Sequence, residues 1–301
     1  MSKLSSVLKK TGIAVAAAAM LVTMGAGTVV TQAKTSLPVY KVSLAKKYTD
    51  HQKDKRMEAS VKIPKVKITG TDGKVMKSES EKLNAAISSY QNKFIKDYKK
   101  DVADVKKGEK GNESLTSGYK VVTDNDKMFC LRIDTVIAMG GSQSYAKIFS
   151  VDKKSGKQIT LKNLFKKGSG YIDRISDNIK EQMRAQMKEN ADVTYFVDDE
   201  NNKFNFKSIS NKTNFYVNEK GKLTLVFDKY EVAPGYMGMV EFSIPTGEIV
   251  DMVTNGYLNK RQIEKMALWA NPTESFFIFG ANEEDAISDF YGILSVENKM
   301  T

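Results

Sequence analysis

The spacing of apolar residues along the chain changes character several times, and each change marks an element. Gly12 to Val30 is a continuous uncharged stretch rich in alanine. Lys34 to Arg56 is polar and lysine-rich, carries Pro38 and the only histidine, His51, and shows little periodicity, so it reads as a flexible tether. Met57, Ala59, Val61 and Ile63 then alternate with polar residues, and Pro64 interrupts before Val66 and Ile68, which predicts an edge strand with a break. Leu83, Ile87, Tyr90, Phe94, Tyr98 and Val102 recur at spacings of three and four, the stripe of an amphipathic helix. The charged, glycine-bearing run from Val105 to Ser117 reads as a loop.

A strand-rich region follows. Phe129, Leu131, Ile133 and Ile137 share one parity within Lys127 to Met139 and predict a long half-buried strand, with Tyr145 to Val151 as its partner. Asp152 to Lys157 reads as a hairpin turn in which Gly156 takes positive φ. Ile172, Ile175, Ile179, Met183 and Met187 form the stripe of a second helix. Phe204 to Val217, Lys222 to Val232 and Met239 to Ile244 predict three more strands, the first two joined at Asn218 to Gly221. Asn259 to Asn271 and Glu283 to Leu294 have helical spacing, in a tail, residues 257–301, whose role the pattern does not reveal. Two helices beside an antiparallel sheet, after an N-terminal signal or anchor segment, make an α+β fold.

Lys3, Lys9 and Lys10 precede the apolar stretch, and Thr31-Gln32-Ala33 ends it with small residues where a signal peptidase reads. Residues 1–33 therefore predict a secretory signal, with an uncleaved membrane anchor over residues 12–30 as the alternative. Either way the expected location is extracytoplasmic, secreted or held at the outer face of the membrane. The net charge is +11, and removing the three signal lysines leaves +8. Such a surface attracts anionic wall polymers and headgroups, while no basic-aromatic motif points to nucleic acid.

Little in the chain suits catalysis. His51 lies in the expected tether, and Cys130 falls mid-strand as a small core residue. No zinc spacing exists, and Asp198 to Asn202 lacks the glycine of a calcium loop, so neither metal nor cofactor is expected. The candidate site is instead a pair of glycine-bearing loops with partner-binding potential. One contains Gly140, Gly141, Ser142 and Gln143. The other contains Pro234, Tyr236 and Met237, the last two expected to be exposed anchors.

Several ordered motifs carry a family resemblance. They are Tyr119 to Asp124, Gly140-Gly141, Val151 to Lys157, Ile159 to Phe165, Asn214 to Val217, Tyr230 to Pro234 and Phe242 to Pro245. The chain resembles the extracytoplasmic domain pair of anti-sigma-V (RsiV-like) factors, also present in some peptidoglycan deacetylases. The resemblance implies a small module at residues 57–110 and a larger domain at residues 119–256. It implies a non-catalytic exported protein that binds lysozyme or another exported protein, with Pro234 and Tyr236 matching part of a lysozyme-contacting loop. The alternative is a module binding peptidoglycan or anionic wall polymer. Two departures stand out: Ser142-Gln143 replaces the usual Ala-His, and too few residues precede the apolar stretch to grip a sigma factor.

Overall fold

A computed structural model describes residues 37–199, 201–254, 257 and 258. The segments 1–33 and 259–301, and the elements expected in them, lie outside the described residues. The backbone is α+β, with a five-stranded sheet in the order β1-β2-β3-β4-β5 and a three-stranded sheet in the order β6-β7-β8.

The first sheet begins with a correction. Val39–Gln52 forms β1, paired antiparallel along its length with β2, Met57–Thr69, rather than a tether. Its side chains are mostly exposed, so the alternation that reveals a half-buried strand is missing. A bulge between Leu44 and Lys46 shifts the register.

β2 is also not an edge strand. It pairs in parallel with β3, Glu113–Asp124, but only over Met57 to Val61. Beyond Val61 the two strands part, and α1, Lys77–Asp104, closes the gap with side chains. Asn84 accepts from the Val66 N–H at 2.7 Å and donates to its carbonyl at 2.9 Å. Ser80 accepts from the Ile68 N–H at 3.1 Å, and Gln91 donates to the Lys62 carbonyl at 2.9 Å. Strand alternation puts Pro64 on this same side, where it lacks the N–H that would need a partner. The proline therefore marks an edge, but one limited to half of one strand and covered by a helix.

β4, Met128–Met139, and β5, Gly141–Asp152, complete the sheet as an antiparallel hairpin. From Met128 to Ile133 both faces of β4 are buried, not one. Phe129, Leu131 and Ile133 join Leu83 and Ile87 of α1 in one core. Met128 and Cys130 face the other way, toward Ile175, Ile179 and Met183 of α2, Tyr171–Glu189, and toward the small sheet. The small sheet contains β6, Asn214–Val217, β7, Leu223–Phe227, and β8, Val240–Ser243. Residues 204–213 and 228–232, expected as strand, are irregular. Asp152 to Lys157 is the expected turn, with Gly156 at φ 71°. Between the layers the buried Arg132 holds Asp134 at 2.6 Å and Glu241, and Glu241 also accepts from the Tyr216 hydroxyl at 2.8 Å.

Candidate partner-binding surface

The surface is built on the outer edge of β5. Gly140, at φ 66°, is the single residue turning β4 into β5. Gly141, Ser142 and Gln143 follow as the first residues of β5. The segment leaving β7 runs against this strand and is held by polar groups. Asp228 Oδ1 accepts from the Ala146 N–H at 2.7 Å, and the Lys229 N–H donates to the Ser144 carbonyl at 3.0 Å. Gln143 Nε2 donates to the Lys229 carbonyl at 2.8 Å, and Lys229 Nζ donates to Ser142 Oγ at 2.7 Å. Further along the edge, Asn214 donates to the Ala146 carbonyl at 2.9 Å and accepts from the Ile148 N–H at 3.1 Å.

The segment then folds on itself. The Asp228 N–H donates to Glu231 Oε2 at 2.8 Å, and the Glu231 N–H returns to the Asp228 carbonyl at 3.0 Å. Burial raises the pKa of both carboxyl groups above their ordinary values, opposed at Asp228 by the Ala146 N–H and the charges of Lys147 and Arg132. Tyr230 sits at φ 71°, a conformation uncommon for an aromatic residue. Its ring lies under Lys229 Nζ at 5.1 Å and packs so closely on Gly235 that a Cβ there would collide with it. Val232 and Ala233 are buried. Pro234 then caps a single turn, Gly235–Met237, closed by the Met237 N–H on the Pro234 carbonyl at 3.0 Å.

Tyr236 is 68% exposed, the most exposed large apolar side chain among the described residues, and Tyr230 is 43% exposed. Met237 departs from expectation, being half-buried against the core under the loop. The two glycine loops, far apart in sequence, meet through Lys229 and Tyr230, within a stretch whose apolar pattern predicts strand. The signal that locates them is the positive φ at Tyr230, and a tyrosine does not advertise that in a pattern of apolar residues.

Gly140 and Gly141 also line a cavity of about 680 Å³ with His51, Arg56, Glu113 and Met139. Glu113 is 3% exposed, and its Oε2 has no hydrogen-bond partner. Burial, and then the negative Asp101, raise this carboxyl to about 7. Among the described residues no group of three or more acidic, histidine or cysteine side chains is arranged for a metal, and Cys130 is buried beside Ser150 at 3.4 Å.

Comparison with known proteins supplies the relatives. Residues 162–247 match a family described as a protein of unknown function, DUF3298. The anti-sigma-V factor RsiV of Bacillus subtilis is 35% identical over 205 residues, 67% of this chain and 68% of that protein. The peptidoglycan-N-acetylmuramic acid deacetylase PdaC of the same organism is 24% identical over 187 residues, 60% of this chain but only 38% of PdaC. A DUF3298 protein from Pseudomonas aeruginosa superposes with a TM-score of 0.51 at 14% identity, covering 75% of this chain and 99% of its own. One from Bacteroides fragilis gives 0.50 at 15%, covering 77% and 98%. These two support the fold alone.

Proposed function

The chain belongs to the same family as the anti-sigma-V factor RsiV, and from that premise we propose that it is an exported, non-catalytic envelope protein that recognises lysozyme or a similar wall-directed protein. Residues 1–33 direct its export, and the contact is made by the loop carrying Pro234 and Tyr236, beside Gly140 to Gln143. The observation that carries this reading is the exposure of Tyr236 on a turn whose two ends are fastened. Val232 and Ala233 anchor one side in the core, and β8 begins at Val240 on the other. A ring presented this way loses little freedom on binding. It offers apolar area with one hydroxyl, the combination enriched at the centres of interfaces.

Titration calorimetry against lysozyme tests the reading. Wild type binds, and Tyr236→Ala weakens binding by about 2 kcal/mol, roughly thirtyfold, with an unchanged melting temperature. Equal affinity of wild type and variant removes the loop as anchor. An absence of binding by wild type, together with salt-sensitive retention on purified cell wall, transfers the function to wall-polymer binding through the basic surface. N-terminal sequencing of secreted protein that starts at Lys34 supports export with cleavage, whereas membrane-held protein starting at Met1 makes residues 12–30 an anchor.

A further inference from the structure

The first two strands carry a row of lysines on the face turned away from α1. Tyr40, Val42, Val66 and Ile68 pack toward Leu83 and Ile87 of α1, and Tyr48, Val61 and Ile63 pack toward Tyr98. Strand alternation therefore turns their neighbours Lys41, Lys47, Lys62, Lys65 and Lys67 the other way, where all five are exposed. Lys41 lies directly opposite Lys67, Lys47 directly opposite Lys62, and Ser43 opposite Lys65 between them. The acidic residues of the two strands stand apart from this row. Asp50 turns to the α1 side and accepts from the Tyr98 hydroxyl at 3.1 Å, and Glu58 lies at the far end beside His51 at 3.9 Å. Among the described residues none of the five lysines is in an ion pair.

Like charges directly opposite each other weaken a sheet. Solubility alone is served as well by lysines facing acids. An anion laid along the row removes the repulsion, and the shape of the face selects its kind. β2 leaves β3 beyond Val61, so around Lys62, Lys65 and Lys67 the two strands form a two-stranded ribbon, the most strongly twisted form of sheet. A flat membrane meets such a ribbon over only part of its length, whereas a flexible chain follows it. On this face the two strands offer no aromatic ring to stack on a base and no guanidinium fork. They offer ammonium point charges and the hydroxyls of Ser43, Thr49 and Ser60.

We infer that the lysine row binds a linear phosphodiester polymer, a chain of polyol phosphates, laid along the β1–β2 hairpin. This narrows the wall-polymer alternative to one face and one chemistry, and it does not rest on the lysozyme contact. β1 and β5 are the two ends of the sheet order, so the polymer and the partner of the tyrosine loop take opposite edges.

Calorimetric titration of the full-length protein with poly(glycerol phosphate) over a range of salt concentrations tests the inference. Log affinity is expected to fall with log salt at a slope of about −3.5, the value for five neutralised phosphates on a chain with the charge density of a single-stranded nucleic acid. Lys41→Glu with Lys47→Glu turns both lysine pairs into opposite-charge pairs, so the melting temperature should hold or rise. Affinity should nevertheless fall about tenfold or more, with a slope shallower by about 1.4. Lys93→Glu with Lys96→Glu makes the same change of net charge at exposed positions of α1 and should leave affinity within about twofold of wild type. Equal losses in the two variants overturn the inference, because the attraction then belongs to overall charge. The absence of binding by wild type at low salt overturns it as well. Tighter binding per phosphate to vesicles of phosphatidylglycerol, lost in the hairpin variant, also overturns it and assigns the face to a membrane.

Discussion

Two strand edges in this molecule are closed by side chains instead of by further strands, and they are closed differently. On β2 the work falls to Ser80, Asn84 and Gln91, which lie along one face of a single helix. On β5 it falls to Gln143 of the strand itself, Asn214, Asp228 and the backbone of Lys229, which arrive from separate segments. Each edge relies on an asparagine that donates and accepts at once, imitating a strand's own N–H and carbonyl. The helix encloses its edge and presents nothing outward from it. The start of β6 and the irregular segment after β7 enclose theirs while leaving Tyr230 and Tyr236 projecting. A closure made of loops costs regularity but yields a surface that can vary without disturbing the core.

Removing the two asparagines should cost the two edges unequally. Asn84→Ala strands the N–H and carbonyl of the buried Val66, and urea denaturation should show a loss of about 3 kcal/mol. Asn214→Ala removes as many bonds, but the neighbouring ties of Asp228 and Lys229 remain, so a loss of about 1–2 kcal/mol is expected. Equal losses would show that the loop-made closure is as integral to the fold as the helix-made one.

Glu113, on the helix-covered side near Tyr98 and Asp101, sharpens the contrast through pH. Its carboxyl titrates near 7 in the folded protein instead of at its ordinary 4.5. Stability from the neutral form is therefore complete below about pH 4.5 and lost as pH rises through 7. Glu113→Gln should abolish this decline and gain about 3 kcal/mol over wild type at pH 8, since each tenfold change in proton affinity is worth about 1.4 kcal/mol. Parallel melting curves for the two proteins from pH 4 to 8 would place Glu113 in water and end the argument.

A smaller effect is expected at the tyrosine loop. Gly235→Ala drives the Tyr230 ring off its seat without touching the core. Partner affinity should fall about tenfold, roughly 1.4 kcal/mol, with a melting temperature close to wild type. A large drop in melting temperature would mean that the loop supports the fold instead of decorating it.

What the chain's pattern revealed and concealed follows the same division. The second helix was legible because Ile175, Ile179 and Met183 repeat at its period and are all fully buried. In the first helix Leu83, Ile87 and Tyr98 were equally plain, but Gln91, also fully buried, was not. It donates to Lys62 and to Ser117 where β2 and β3 part, and periodicity weighs only apolar residues. β1 was missed for the opposite reason, since its alternation is diluted by exposed lysines and its existence depends on β2. For the candidate surface, the exposure of Tyr236 was foreseen, but the meeting of the two loops was not. That meeting rests on Lys229 and on a left-handed tyrosine, which are tertiary facts with no local period.

The same lysine-studded first strand has a bearing on life in a crowd. β1 is the terminal strand of its sheet, and among the described residues no strand pairs with its outer edge. A flat row of open amide groups of that length would invite other copies to add on strand by strand. Lys41, Lys46 and Lys47 repel an identical neighbour, and the bulge between Leu44 and Lys46 spoils the straight register such stacking requires. The irregular, highly charged character that made this segment look unstructured is thus what lets an edge strand stay exposed without seeding fibres.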